Sequence, residues 1–372
     1  MIMDNQYLVA FLLSFLLISA LFSFLINWLF LKFSFNLGAR DKNDTNEVRW
    51  ASSVKPAIGG ISFFIVFLIS ISVIGTLPRQ ANYMLDKHLI GIIASSCLGF
   101  ILGLADDAYN TNPLAKFIIQ LSCAFILIIS DVYIRVSGNP AFDFILTTIW
   151  VIGLMNSINM LDNMDAITTT TSMSIILGLI SVVAISGHSM SPFYLVMLVG
   201  VFGSLCGFLY FNWNPAKVYM GDTGSQFIGV FLAATSIMFF WDFRDEGSNE
   251  WIQLKQFVVP MLFFIVPIID TTTVTIRRLM RKQSPFVGGK DHITHHLAYL
   301  GLSDNMVALT LISVSLFSLP LVSILITGLV EWTWVVTFAA FAYFFVIFII
   351  MQVVYNAGKK KHEQKLLAKP KQ

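Results

Sequence analysis

Long apolar runs follow one another along the chain from the first residues to about position 356, separated by short polar interruptions. The runs lack the alternation of outward and inward residues that a membrane strand needs, and each is too long for one. About 20 apolar residues carry a helix across hydrocarbon. A helix satisfies its own backbone groups there. The pattern predicts eleven transmembrane helices, over 7–33, 57–77, 88–104, 114–134, 144–160, 168–187, 192–211, 225–241, 256–276, 305–328 and 332–356. It implies an all-α integral membrane protein with one polytopic domain, 1–372, ending in a basic tail, "KKKHEQKLLAKPKQ" (359–372). The first run exceeds a signal-peptide core and is read as a retained helix.

Composition agrees. Of 372 residues, 56% are hydrophobic and 12% charged, against about 25% charged in soluble domains. Cys97, Cys123 and Cys206 lie singly in apolar stretches. They read as small buried hydrophobes, with no disulfide framework and no zinc spacing.

The net charge of +2 says little, but its distribution sets an orientation. Lys and Arg favour the cytoplasmic side. With the tail inside, 18 of the 23 Lys and Arg fall on the inner side and 5 on the outer. The expected topology is N-terminus outside, C-terminus cytoplasmic.

Under that topology four polar clusters share the inner side: "LADDAYN" (104–110), "NSINMLDNMDA" (156–166), "VYMGDTGSQ" (218–226) and "GGKDHITHHL" (288–297). Their side chains suit hard cations and phosphates. Asp106 and Asp107 are adjacent carboxylates, and close to lipid their repulsion calls for a neutralising charge. Asn156, Asn159, Asp162 and Asp165 recur at three-residue spacing, which on a continuing helix stacks them on one drifting face. Asp222 lies between Gly221 and Gly224 at a helix start placed near Ser225, a candidate metal and phosphate position. His292, His295 and His296 share a loop with Arg277, Arg278, Arg281, Lys282 and Lys290. His88, His188 and His362 read as incidental. The outer acids, including Asp86, Asp131 and Asp143, read as solvated loop residues. Asp270, inside the ninth span, is expected to pair with a basic residue.

At these residues the chain resembles the polyprenyl-phosphate N-acetylhexosamine-1-phosphate transferases, relatives of the phospho-N-acetylmuramoyl-pentapeptide transferase. The likeness runs from about Gly38 to Leu302 and is carried by "KPAIGG" (55–60), "DD" (106–107), the Asn/Asp ladder (156–165), "MGDTGS" (220–225), "PIIDTTTVTIRRLMRKQSPF" (267–286) and the His-rich loop. The resemblance implies an enzyme of the inner (plasma) membrane. It implies transfer of a sugar-1-phosphate, foremost N-acetylglucosamine-1-phosphate, from a UDP-sugar to undecaprenyl phosphate, releasing UMP. That reaction opens cell-envelope glycan synthesis, such as cell wall or O-antigen. It also implies a Mg2+ cofactor, with Mn2+ as the alternative ion. Membrane lipid is an implied partner, nucleic acid is not, and a homodimer stays open.

Carried over by position, Asp222 would ligate magnesium with Asp107 in support, and Asp106 would accept the proton of the lipid phosphate. Asp162 and Asp165, with Asn156 and Asn159, would orient nucleotide and diphosphate. Lys116 would hold the acceptor phosphate. His295, His296 and Arg281 would contact diphosphate or sugar. The chain departs from its relatives in reading Asp162-Asn163-Met164-Asp165-Ala166 where many have Asp-Gly-x-Asp-Gly. It also carries one extra residue in the His motif, and has Arg49 and Lys55 where a basic-plus-His pair is usual. The rival reading is a transporter or flippase using the acids as an ion path, but transporter carboxylates sit near the midplane.

Overall fold

Thirteen helices, α1 to α13, run through the residues that the computed structural model describes: 5–33, 55–76, 86–186, 191–241, 243, 252–284, 289–327 and 329–368. They are α1 Asn5–Phe33, α2 Gly59–Thr76, α3 Lys87–Tyr109, α4 Pro113–Ile129, α5 Pro140–Leu161, α6 Ile167–Ser186 and α7 Ser191–Asn212. The rest are α8 Gly221–Phe240, α9 Lys255–Phe263, α10 Ile265–Met280, α11 Ile293–Tyr299, α12 Asp304–Ile326 and α13 Trp334–Leu367. Among the described residues there is no strand, only an isolated bridge between Ala57 and Tyr219.

Eight of these helices are long and apolar enough to cross a membrane, and every predicted span maps onto one of them or onto three other features. Two are the shorter apolar helices, Gly59–Val73 and Pro113–Ile129. The third is the pair α9 and α10, bent by 84°. This is a multi-pass, all-α membrane protein. The predicted straight span 256–276 is thus broken, and Pro267 explains where. It has no N–H to return to the carbonyl of Phe263, four residues earlier, so the helix loses its ladder at that point.

Four boundaries shift in ways that matter for the site. α3 continues through Asp106 and Asp107, which therefore sit in its last turn rather than in a loop. α8 begins at Gly221, so Asp222 lies in its first turn. α4 stops at Ile129, leaving 130–134 outside the helix. α13 extends past the bilayer-length segment to Leu367, taking up most of the predicted tail. The extension docks on α11: Lys361 Nζ donates to the Leu300 carbonyl at 2.7 Å, and His362 stacks on Tyr299 at 3.9 Å. His362 is therefore a packing residue, not an incidental one.

α8 is buried along nearly its whole length and forms the axis, with α2, α3, α5 and α6 around it. α3 lies closest. A Cβ at Gly103 would stand 2.2 Å from the Asp222 carbonyl, and one at Gly99 would stand 2.6 Å from Val230. The Gly99–Gly103 spacing is a small-residue stripe of the kind that lets membrane helices touch. It brings the end of α3 against the start of α8.

The acids expected on the outer side are not all solvated. Asp143 is buried and accepts from the Ser137 N–H at 3.0 Å and its hydroxyl at 2.9 Å, closing the 132–139 loop. Asp131 pairs with Lys87 at 2.8 Å and Arg135 at 2.6 Å, while Asp86 caps α3. Charge alone pointed Asp143 to water, but the loop N–H groups bury it; Asp86 and Asp131 stay partly exposed. His188 and Arg49 lie outside the described residues.

Candidate active site

The polar clusters of the sequence meet at one end of the bundle. α3, α5 and α10 finish there, and α4, α8 and α11 begin there. Asp107 Oδ2 accepts from the Thr223 N–H at 2.8 Å and from its hydroxyl at 2.7 Å, and Oδ1 accepts from the Asp222 N–H at 3.2 Å. A carboxylate of α3 thus caps the open N-terminus of α8, where the helix dipole favours negative charge. Gly221 permits the turn: its φ is +74°, and a Cβ there would lie 2.8 Å from Asp107. The segment before α2 is laced to the same turn, with Gly59 N–H donating to the Tyr219 carbonyl at 3.1 Å and Gly60 N–H to that of Met220 at 3.0 Å. Lys55 lies over the Tyr219 ring at 5.1 Å.

Asp106, about 100° around the helix from Asp107, is 1% exposed. Asn110 takes a left-handed conformation, φ 50°, which folds Thr111 back. Thr111 then donates to Asp106 Oδ1 from its N–H and its hydroxyl, both at 2.9 Å. Lys116, one turn into α4, makes an ion pair with Asp106. Asp106 also lies within hydrogen-bond reach of the Asp222 carboxyl. Two carboxyls in contact need a proton or a cation between them. Asn159 completes the group, donating from Nδ2 to Asp222 Oδ1 at 2.6 Å and to Ser225 Oγ at 2.9 Å.

Magnesium takes oxygen ligands and is satisfied by one or two protein carboxylates, with water and substrate phosphates completing its octahedron. Among the described residues no group of three or more His, Cys, Asp or Glu side chains forms a ready ligand set. The paired oxygens of Asp106 and Asp222, next to the Asn159 amide, meet the smaller requirement. Asp107 is committed to the α8 terminus and supports the pair from behind.

The predicted one-face ladder breaks after Asn159. α5 ends at Leu161, and Asp162 is its C-cap. Burial and then the charge of Asp107 push the Asp162 carboxyl up to about 7. Asp165 faces a different loop: its Oδ2 accepts from Asn214 Nδ2 at 2.9 Å and from the Ala216 N–H at 2.8 Å. Asn156 faces the bundle interior, donating to Gln120 Oε1 at 2.9 Å. Of the ladder, Asn159 and Asp162 adjoin the carboxylate group, while Asn156 and Asp165 brace it.

The His-rich segment forms α11 beside this layer. Thr294 Oγ1 donates to Asn163 Oδ1 at 2.7 Å, joining α11 to the turn after α5. Asp270 pairs with His292, Nδ1 to Oδ2 at 2.7 Å, and accepts the Ile293 N–H at 2.8 Å. The expected structural pairing of Asp270 is thus made with His292, at the start of α11. Arg277 goes instead to Gln352 and Asn356, each at 3.0 Å. His295 is 2% exposed and His296 4%. Burial is the main force on both imidazoles, pushing His295 down to about 3 and His296 to about 4, so both are neutral at pH 7.

Outside α11, a cavity of about 720 Å³ opens between α10 and the extension of α13. Its walls include Arg278, Arg281, Lys290, His296, Lys359 and His362. Arg278 is held by Asp291 through two bonds, 2.9 and 2.6 Å. Burial opposes the Asp291 charge, but the guanidinium outweighs it and keeps the carboxyl below its ordinary range. Among the described residues the Arg281 guanidinium donates to the Tyr355 hydroxyl, at 3.4 Å. The described residues thus hold two features: a carboxylate layer on α3, α5 and α8, and, beyond α11, a cavity whose walls carry four Lys and Arg side chains against the two acids Asp291 and Glu363.

Sequence reasoning did not single out Thr111, Gln120, Ser225 or Gln226. The last two sit in the "GDTGSQ" run and Gln120 is a lone amide in an apolar helix, which was the available signal.

Comparison with known proteins matches residues 89–240 to the family described as glycosyl transferase family 4. That stretch runs from α3 to the end of α8 and contains the whole carboxylate layer. A Bacillus subtilis protein named "probable undecaprenyl-phosphate N-acetylglucosaminyl 1-phosphate transferase" is 29% identical over 289 residues, 75% of each chain. A decaprenyl-phosphate N-acetylglucosaminephosphotransferase of Mycobacterium leprae is 26% identical over 280 residues, 68% of this chain and 69% of that one. A phospho-N-acetylmuramoyl-pentapeptide-transferase of Deinococcus radiodurans is 25% identical over 321 residues, 79% of this chain and 93% of that one.

Proposed function

We propose that this chain, a member of the polyprenyl-phosphate N-acetylhexosamine-1-phosphate transferase family, transfers N-acetylglucosamine-1-phosphate from UDP-N-acetylglucosamine to undecaprenyl phosphate. The reaction takes place at the cytoplasmic face of the plasma membrane. The observation that carries this reading is the contact of Asp106, Asp222 and Asn159, drawn from three helices to one end of an apolar bundle. An ion path would set its acids near the midplane. A helix-end layer with a cationic cavity beside it instead suits chemistry between a lipid head group and a water-soluble diphosphate.

In this reading an oxygen of the lipid phosphate attacks the β-phosphorus of the donor. A new P–O–P bond forms, the bond to the α-phosphate bridge breaks, and UMP leaves with the electron pair. Transfer of this kind needs positioning and charge neutralisation more than covalent help from protein. Magnesium, held by Asp222, would supply neutralisation of the diphosphate. Asp106 accepts the proton of a singly protonated lipid phosphate. Lys116, paired with Asp106 when no substrate is bound, passes to the acceptor phosphate. Asn159 fixes the Asp222 carboxylate, and Asp162 lies against the nucleotide side. Arg281 and His296, in the cationic wall, take the donor's diphosphate or sugar, and His295 supports them from within α11.

The test is incubation of the purified protein with Mg2+, undecaprenyl phosphate and a panel of tritiated UDP-sugars. Lipid-extractable sugar from UDP-N-acetylglucosamine is the expected result. No lipid-linked product from any donor, together with solute uptake in vesicles, would overturn the assignment.

A further inference from the structure

One helical turn deeper than the carboxylate layer, three amide side chains meet inside the bundle. Gln120 of α4 donates from Nε2 to Gln226 Oε1 of α8 at 3.2 Å and to Asn156 Oδ1 of α5 at 3.4 Å. Asn156 returns a bond from Nδ2 to Gln120 Oε1 at 2.9 Å. Gln120 and Gln226 are each 2% exposed.

Each amide shares a helix face with a residue of the site. Gln120 follows Lys116 by four positions, Gln226 follows Asp222 by four, and Asn156 precedes Asn159 by three. α4 and α8 start at the site and α5 ends there, so all three offsets point the same way, about 4.5–6 Å into the bundle. The two layers are in register: Lys116, Asn159 and Asp222 above, Gln120, Asn156 and Gln226 below.

Packing does not account for amides here. Leu or Met would fill the same space and enter a membrane more readily. Hydrogen bonds between membrane helices add little stability on average. What amide pairs do supply is direction: a slip of one residue moves a side chain 1.5 Å along the axis and 100° around it, and every bond in the triad is lost. We infer that Gln120, Asn156 and Gln226 are positioning residues, a register lock that sets the mutual geometry of Lys116, Asn159 and Asp222. The geometry stands by itself, and its use rests on the phosphosugar-transfer reading above. A misplacement of about 1 Å at such a centre costs on the order of 100-fold in rate.

The test uses Gln120→Met and Gln226→Met, close in volume but without amide bonds. Both should unfold within a few degrees of the parent, lose at least tenfold in kcat, keep KM for the UDP-sugar within about threefold, and need more Mg2+ for half-maximal rate. The exchange Gln120→Asn with Asn156→Gln should recover activity that either change alone removes. If Gln120→Met fails to fold, Gln120→Asn alone is read in its place, with the same kcat loss expected. Unchanged kcat and Mg2+ requirement in folded variants would overturn the inference, whatever their stability.

A second arm needs no turnover. Asn159→Cys with Asp222→Cys, in a chain whose native cysteines are replaced by Ala, is treated in membranes with a short bis-methanethiosulfonate, whose spacer bridges thiols set farther apart than a direct disulfide allows. The crosslink should form at least tenfold faster with the triad intact than with Gln120→Met. Equal rates would overturn the lock. A parent inactive with every UDP-sugar would sink the functional reading, and the crosslinking rates would then decide the lock alone.

Discussion

Asn159 Nδ2 reaches across from the last turn of α5 to Asp222 Oδ1 in the first turn of α8, at 2.6 Å. A neutral donor is the right partner for a carboxylate that must keep its charge for a cation: it orients the group without neutralising it. Asn159→Leu removes that orientation at nearly the same side-chain size. The expected outcome is a fall in kcat of about 100-fold, the scale of a lost positioning contact, with membrane insertion unchanged. Initial rates at saturating donor and lipid phosphate check it.

Asp107 and Asp222 separate by the same argument. Asp107 closes the α8 terminus through Thr223 and Asp222 N–H groups. Asp107→Ala should therefore destabilise the fold by about 1 kcal/mol, as loss of a helix cap does, besides lowering activity. Asp222→Asn should abolish turnover with little change in stability. Thermal unfolding in detergent, run beside the rate assay, distinguishes the two.

Ala166 has φ 65°, a left-handed conformation that costs a residue with a Cβ about 1–2 kcal/mol. Ala166→Gly should raise stability by about 1 kcal/mol, read as a higher unfolding temperature. Its N–H still reaches Asn212 Oδ1, at 3.2 Å in the native chain, so the turn should keep its course.

Both buried imidazoles lose stability in acid. His295 and His296 have folded pKa values of about 3 and about 4, below the ordinary 6.5. Depressed histidines add stability that is fully present above pH 6.5. That stability is lost as pH falls from 6.5 towards 4, because the unfolded chain takes the proton first. The unfolding temperature should drop across that window. His296→Phe, which keeps the ring contact with Tyr355 at 3.8 Å in the native protein, should drop less steeply.

How much of this the sequence carried follows from the physics of each element. Apolar length decides membrane helices, so the spans were legible, and so was the gathering of Asp106, Asp107, Asn159 and Asp222 at one side. The ends were not. Hydropathy stops at Leu104, but backbone bonds carry α3 on to Tyr109, and that extension gives Asp106 and Asp107 different partners around the start of α8. The three-residue spacing of 156–165 promised one face. The chain leaves the helix at Asp162, and Ala166 then adopts a conformation that alanine does not advertise. Asn156 was legible as polar but not as a partner of Gln120, since a lone Gln in an apolar run names no neighbour. Asp143 looked solvated because the loop N–H groups that bury it belong to a fold, not to a pattern.

The most direct test follows the two phosphates of the donor separately. UDP-N-acetylglucosamine labelled with ³²P at the β-position is incubated with the protein, Mg2+ and undecaprenyl phosphate, with an α-labelled donor in parallel. The account predicts that β-label enters the lipid extract in step with release of α-label as UMP, and that Asp222→Asn stops both. Label from the β-phosphate staying in the aqueous phase while sugar reaches the lipid would contradict it.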